Sequence, residues 1–145
     1  IGAILLTRFL ALSGVPAHLA GLMGDWAADP MLVVLGASLI YVFLGMFLDP
    51  MGLMLVTLPV LMPIFRALEL DLIWIGVLVI KYLEIGLLTP PVGLSAYVVS
   101  GVVGTQIPLA TIFRGLIWFL GAEAVIVMLL ITFPPISLYL PSLMN

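Results

Sequence analysis

The sequence predicts an all-α membrane protein, a polytopic helical bundle that contains one re-entrant helical hairpin. Its 145 residues are 65% hydrophobic and only 8% charged, whereas soluble domains carry about 25% charged residues. Apolar segments of helical length follow one another along the chain. Near the middle, two shorter apolar segments flank a Thr-Pro-Pro sequence with a glycine on either side, which a regular helix does not accommodate.

Composition also excludes several classes of function. The few charges form no basic run, which argues against nucleic acid as a ligand. The chain has no cysteine and a single histidine, His18, so it offers neither thiolate chemistry nor a zinc site of the Cys/His type. It contains neither a phosphate-binding Gly-x-x-x-x-Gly-Lys-Ser/Thr loop nor a Gly-x-Ser-x-Gly nucleophile motif. We therefore expect a protein that is not an enzyme and has no cofactor.

The first third of the chain predicts one membrane-spanning helix after two shorter segments. The sequence begins without a methionine and inside an apolar stretch, so we expect a single transmembrane unit, residues 1–145, from a longer chain. Ile1–Ser13 is predicted as the end of a helix and Ala17–Trp26 as a short interfacial segment. Met31–Leu48 is the clearest spanning candidate, since it has eighteen residues and no charge, and Asp29 is placed to cap it.

The next segment, Met51–Ala67, contains Thr57, Pro59 and Pro63, and is predicted to be kinked or partly unwound. The prolines leave backbone carbonyls without helical hydrogen bonds. These carbonyls, at the segment around Thr57 and Pro59, would support an ion site. The alternative is a proline kink whose freed groups are satisfied by the neighbouring threonine. Asp49, which precedes this segment, is either an ionisable group at membrane depth with a functional role or part of an interfacial turn.

The central segment, Leu72–Val103, is predicted as the hairpin, with its tip at residues 85–93 and Asp71 capping its first arm. Its arms, Leu72–Leu83 and Leu94–Val103, are each too short to cross a hydrocarbon core of about 30 Å, which needs roughly 20 helical residues. Irregular backbone survives at membrane depth only when it is buried in protein or lines a polar cavity. The tip is therefore a candidate binding site, and the alternative is an ordinary loop between two short helices.

The tip has the chemistry of an ion and anion site. A broken helix exposes carbonyl oxygens at the end of one arm, which attract cations, and N–H groups at the start of the next, which attract anions. Backbone or hydroxyl oxygens of Gly86, Thr89 and Gly93 are predicted to hold sodium, and the Ser95 hydroxyl to assist in binding a carboxylate. The predicted site residues are Gly86, Thr89, Pro90, Pro91, Gly93 and Ser95.

Other charges lie within apolar segments and allow two interpretations each. Lys81 and Glu84 are three residues apart on one helix face, so they are expected to pair. The long apolar segment Leu109–Phe133 carries Arg114, which would either bind an anion or anchor the helix at lipid headgroups. It also carries Glu123, which is either a proton site or a partner in helix packing.

Four blocks of sequence together resemble the large membrane subunit of the tripartite ATP-independent periplasmic (TRAP) transporters, the DctM-like family. One block is the tip itself, Ile85–Gly93, which reads Ile-Gly-Leu-Leu-Thr-Pro-Pro-Val-Gly. Two blocks lie upstream, at Leu44–Asp49 and Leu58–Ile64, and one lies downstream, at Phe133–Pro141. They follow one another along nearly the whole chain.

The resemblance implies one half of an inverted-repeat elevator transporter, with this chain as the C-terminal repeat. It also implies sodium-coupled uptake of a small organic anion, such as a C4-dicarboxylate, a sialic acid or a 2-oxo acid, across the bacterial inner membrane. The implied partners are a small membrane subunit and a periplasmic substrate-binding protein. Three alternatives remain: a related carboxylate transporter without a binding protein, a structural membrane subunit, and an intramembrane enzyme that uses Asp49 and Glu123.

Overall fold

The computed structural model describes residues 5, 9, 12–14 and 29–144. Within these residues the protein is all-helical and contains no strand. The predictions for Ala17–Trp26, for His18 and for most of Ile1–Ser13 lie outside the described residues. The helices are α1 (Pro30–Gly45), α2 (Pro50–Ala67), α3 (Leu72–Leu88), α4 (Leu94–Val103), α5 (Leu109–Thr132) and α6 (Pro135–Ser142), with a short 3-10 helix at Gly104–Gln106 between α4 and α5.

Aspartates and prolines define where the helices begin. The carboxylates of Asp29 and Asp71 accept hydrogen bonds from the amides of Met31 and Ile73 at 2.9 and 2.8 Å, which confirms both predicted caps. A side-chain oxygen at this position satisfies an amide that has no partner within the helix. Proline occupies the first turn of α1, α2 and α6, where a missing N–H costs nothing.

Two of the described helices, α2 and α5, are long and apolar enough to cross a membrane by length and composition. Helix α5 has 24 residues, about 36 Å at the rise of an α-helix. Helix α1 has only 16 residues, or about 24 Å, and is shorter than the predicted span Met31–Leu48. It ends at Gly45 because residues 46–48 turn to bring Asp49 into position to cap α2.

Helix α2 runs without interruption through Pro59 and Pro63. Proline removes the hydrogen bond that its own amide would have made to the carbonyl four residues earlier. Packing compensates for this loss, because Leu53, Ile64 and Phe65 on the same helix are buried. The predicted partial unwinding is therefore absent from α2.

Helix α3 lies at the centre of the bundle and packs against the other five described helices. Its buried side chains join those of α1 and α2 in one apolar core. The rings of Tyr41 and Tyr82 stack with their centroids 6.4 Å apart, and the Trp74 indole donates to the Leu130 carbonyl at 2.8 Å. These contacts fix α3 to α1 and to α5, so the segment that follows α3 starts from a rigid base.

Candidate functional site

The break in the helical chain lies at residues 89–93, between α3 and α4. Helix α3 continues to Leu88, beyond the predicted end of the arm at Leu83, so the irregular segment is shorter than the predicted tip. Proline disfavours helical angles in the residue before it, and Thr89 accordingly is extended, with φ −85° and ψ 132°. The Pro90–Pro91 peptide bond is cis. Gly86 therefore lies within α3 and not in the irregular segment.

Thr89 ends α3 and uses its polar groups locally. Its hydroxyl donates to the Ile85 carbonyl at 2.5 Å and its amide donates to the Gly86 carbonyl at 3.2 Å. Pro91 has no N–H with which to reach the carbonyl of Leu87, four residues before it. The Leu87 carbonyl, at the negative end of α3, therefore lacks the partner that a continuing helix would give it.

Gly93 begins α4 in a left-handed conformation, with φ 54° and ψ 62°. The amides of Ala96 and Tyr97 donate to its carbonyl at 2.8 and 3.4 Å, which leaves the amides of Leu94 and Ser95 at the free amino end of the helix. A side chain at Gly93 would be strained by the backbone angles and would also lie only 2.6 Å from Cε1 of Phe113.

The turn that follows α1 lies beside the break. A Cβ atom on Gly86 would lie 2.7 Å from both the Cα and the carbonyl carbon of Gly45, so the two helices meet here backbone to backbone. A cavity of about 30 Å³ lies between this turn and the break. This volume is enough for one ligand of the size of a water molecule. Its lining residues are Gly45, Met46, Phe47, Leu48, Asp49, Leu87, Val92 and Leu94.

The arrangement brings together two helix carboxyl ends and one carboxylate. Helix α1 ends at Gly45 and α3 at Leu88, and the carboxyl end of each helix carries partial negative charge. Asp49 lines the same cavity while its Oδ2 accepts from the Gly52 amide at 2.8 Å. Asp49 is therefore both the cap of α2 and a lining residue of the cavity, and its functional role stays a prediction.

Thr57 and Pro59 occupy a different environment from the break. Thr57 is 7% exposed, and its hydroxyl lies 2.7 Å from the Tyr41 hydroxyl and 2.8 Å from the Leu53 carbonyl. A carbonyl only accepts, so Thr57 donates to Leu53 and accepts from Tyr41. The hydroxyl thus links α1 to α2 within the core, and the supporting role predicted for Thr57 and Pro59 in ion binding stays a prediction.

The charges on α3 and α5 form one cluster. The Lys81 ammonium lies 2.7 Å from Glu84, which confirms the expected pair, and 2.6 Å from Glu123 on α5. Glu123 is thus a packing partner across the interface of α3 and α5. Among the residues that the structure describes, no three His, Asp or Glu side chains converge as metal ligands.

Two residues beside the break had no functional role in the sequence analysis. Gly45 is one of several small residues in α1, and only the fold distinguishes it from Gly36, which has nothing within 4 Å of its would-be Cβ. Phe113 is one of many apolar side chains on α5. Neither position carries a pattern from which its contact with the break can be read.

Together these features define a class: an α-helical membrane protein with a break between two helices, beside which the turn after a third helix encloses a small cavity. Discontinuous helices of this kind form the binding sites of secondary transporters. The chain belongs to the DctM component family of the tripartite ATP-independent periplasmic transporters, whose family model matches residues 1–136.

Similar proteins come from the same family. The chain is 34% identical over 143 residues to the sialic acid TRAP transporter large permease protein SiaM of Vibrio cholerae, covering 99% of this chain and 33% of that protein. It is 30% identical over 140 residues to the C4-dicarboxylate TRAP transporter large permease protein DctM of Pseudomonas aeruginosa, covering 97% and 32%. The chain thus spans about a third of the length of these relatives.

Proposed function

We propose that this chain is the C-terminal repeat of the large membrane subunit of a TRAP transporter, which imports a small organic anion with sodium across the bacterial inner membrane. Membership of the DctM family supports this proposal. Relatives are named for transport of sialic acid, C4-dicarboxylates and isethionate, all of them small organic anions. Which anion this subunit carries would depend on the periplasmic binding protein that delivers it.

The observation that carries the proposal is the meeting of two helix carboxyl ends at the break. Carbonyl ends of broken helices favour a cation such as sodium, and the free amino end of α4 favours an anion. Sodium would be held by the backbone carbonyl oxygens of Gly86 and Leu87 and by the Thr89 hydroxyl oxygen. Oxygens of the turn that ends at Asp49 would complete the site. The substrate carboxylate would approach the first amides of α4, with the Ser95 hydroxyl assisting.

In this mechanism α3 and α4 are the arms of a re-entrant hairpin with its tip at membrane depth. The hairpin and the facing turn after α1 would move together as one body against a fixed scaffold, carrying ions and substrate across. A second hairpin from the other repeat would complete the site. The large subunit would work with a small membrane subunit and with a periplasmic substrate-binding protein.

The test is uptake into proteoliposomes that contain the full-length large subunit with its small subunit. Labelled sialic acid, C4-dicarboxylate and 2-oxo acid are each offered with a cognate binding protein, with and without an inward sodium gradient. We expect sodium-driven uptake of one of them and a loss of about tenfold or more in the Thr89→Ala variant, equivalent to at least 1.4 kcal/mol of interaction.

Thr132→Ala is the matched control. The Thr132 hydroxyl donates to a carbonyl four residues earlier at 2.7 Å, as the Thr89 hydroxyl does, but it lies on exposed α5. Uptake should stay within about twofold of the unmodified protein, because such local hydrogen bonds contribute little by themselves. Uptake that is independent of both sodium and the binding protein would refute the TRAP mechanism for this subunit.

A further inference from the structure

Phe113 on α5 lies against Gly93, the last residue of the break. Its Cε1 and Cζ atoms lie 2.6 and 3.0 Å from the position that a Cβ of Gly93 would occupy. The same ring meets Tyr97 of α4 edge-on, with centroids 6.4 Å apart and planes at 83°. One half-buried ring therefore touches both the last residue of the break and the first turns of α4.

The two sides of the break are held very differently. On the side of α3, backbone packing of Gly86 on Gly45 and two hydrogen bonds from Thr89 fix the chain. On the side of α4, buried positions are few: Gly93 and Ala96 are buried, whereas the valines at 98 and 99 are exposed. Helix α4 packs against both α3 and α5, and the Phe113 ring contributes to its contact with α5 through Tyr97 and Gly93.

Glycine at position 93 allows this contact. With φ at 54°, the backbone is in the left-handed region, and the absence of a Cβ lets the ring approach the Gly93 Cα directly. A ring packed on a backbone in this way fixes the direction in which the Leu94 and Ser95 amides point. Those amides form the anion-binding end of the site proposed above.

We infer that Phe113 is a positioning residue of the transport site: through Gly93 it fixes the break and the amino end of α4 in the arrangement that binds ion and substrate. This inference rests on the proposed function for what the site binds, but the positioning itself is a property of the fold. Phe113 is not a ligand, so its effect passes through the residues that its ring touches, of which Gly93 belongs to the break and Tyr97 to α4.

The first experiment measures sodium-driven uptake by the full-length subunit with its partner subunit. We expect Phe113→Ala to raise the sodium concentration for half-maximal uptake about fivefold or more, since loose positioning reduces the population of the binding-competent state. Phe113→Leu keeps an apolar side chain of similar bulk, so its sodium concentration for half-maximal uptake should stay within about twofold of that of the unmodified protein. Phe119→Ala is the matched control, because Phe119 lies on the same helix and is 65% exposed. An unchanged sodium dependence in Phe113→Ala overturns the inference.

A double substitution tests whether Phe113 acts through Gly93. Gly93→Ala should lower uptake by a clash with the ring and by backbone strain, and Phe113→Ala removes only the clash. We therefore expect the double variant to retain about fivefold more activity than the product of the two single effects predicts, which is a coupling between the two positions. Effects that simply multiply would show that the residues act independently and would overturn the inference.

A labelling measurement separates this inference from the proposed function. The chain has no cysteine, so Val92→Cys in a full-length subunit lacking other cysteines gives a single reporter beside Gly93. Its reaction with a water-soluble maleimide should be about tenfold faster when Phe113→Ala is added, because local opening limits access. This readout needs no transport. Equal rates with and without Phe113→Ala would refute the positioning role even if uptake is sodium-driven, and faster labelling without sodium-driven uptake would refute only the proposed function.

Discussion

Gly86 of α3 rests on the backbone of Gly45 in α1, with no room for a side chain between them: a Cβ on Gly86 would lie 2.7 Å from two backbone atoms of Gly45. Small residues allow helices in membranes to approach this closely. The contact lies two residues before the end of α3 and at the last residue of α1. It therefore sets the distance between the two helix ends that border the candidate site.

Gly86→Ala is expected to separate these helix ends. A methyl group cannot be accommodated without moving a backbone, and overpacking of this kind costs about 1–3 kcal/mol. We expect a lower free energy of unfolding for the full-length subunit in mixed detergent micelles, and a loss of sodium-driven uptake of about tenfold or more.

Gly76→Ala provides the control on the same helix. Nothing lies within 4 Å of a Cβ built on Gly76, so the alanine should be neutral or stabilise α3 by up to about 1 kcal/mol through its higher helix propensity. If Gly86→Ala behaves like Gly76→Ala in both measurements, the close contact with Gly45 does not position the site.

The sequence predicts the order of the helices well because proline, glycine and aspartate act locally. Asp29 and Asp71 begin helices at the expected positions, and the Thr-Pro-Pro sequence interrupts the chain where predicted, since proline restricts its own residue and the one before it. The end of α3 at Leu88 was missed. Nothing local prevents Gly86 from remaining helical, and its packing on Gly45 depends on a residue 41 positions earlier in the chain.

The contacts that shape the site could not be predicted from local pattern. In an apolar helix every face is hydrophobic, so periodicity does not indicate which face meets which neighbour. Phe113 and Gly93 are twenty residues apart, and Lys81 and Glu123 are forty-two. Only the packing of α5 against α3 and α4 brings these residues together.

Tyr41→Phe and Thr57→Val are expected to destabilise the protein by removing the link between α1 and α2. Hydrogen bonds between membrane helices contribute about 0.6 kcal/mol on average and up to roughly 1.7 kcal/mol. Each variant should lower the free energy of unfolding by about 1 kcal/mol, and the double variant by less than the sum of the two. Sodium dependence should not change, because the Thr57 hydroxyl is already bonded to Tyr41 and Leu53.

The opposite result for Thr57 would support its predicted role beside the ion site. If Thr57→Val raises the sodium requirement while the free energy of unfolding is unchanged, the hydroxyl itself takes part in the ion site, beyond the freed carbonyls that the sequence predicted. Thr132→Val serves as the control, since its hydroxyl bonds only within its own exposed helix turn.

The Lys81 cluster predicts a graded response to substitution. Lys81 and Glu123 have side chains 19% and 16% exposed, whereas Glu84 is 52% exposed. Removing one partner of a buried pair costs about 3–5 kcal/mol, and an exposed pair contributes about 0–1 kcal/mol. We expect Lys81→Met to reduce the free energy of unfolding by about 2–4 kcal/mol and Glu84→Gln by less than about 1 kcal/mol.

Replacing both partly buried charges provides the check on this cluster. The double variant Lys81→Met with Glu123→Leu leaves only the Glu84 carboxylate unpaired, and that side chain is 52% exposed, so most of the stability lost in Lys81→Met should return. Destabilisation equal to or greater than that of Lys81→Met alone would mean that the cost lies in packing and not in the unpaired carboxylate.

Asp49 allows its two roles to be separated by one pair of substitutions. Asparagine caps a helix about as well as aspartate, whereas alanine loses about 1 kcal/mol. Asp49→Asn should therefore keep the free energy of unfolding within about 0.5 kcal/mol but lower sodium-driven uptake about tenfold, because the cavity loses its negative charge. Asp49→Ala should lose both stability and uptake.

The control is the same pair of substitutions at Asp71, which caps α3 at its other end. Asp71→Asn and Asp71→Ala should differ in stability alone. If Asp49→Asn transports with unchanged sodium dependence, the carboxylate acts only as a cap, and the ion site would depend on backbone oxygens alone.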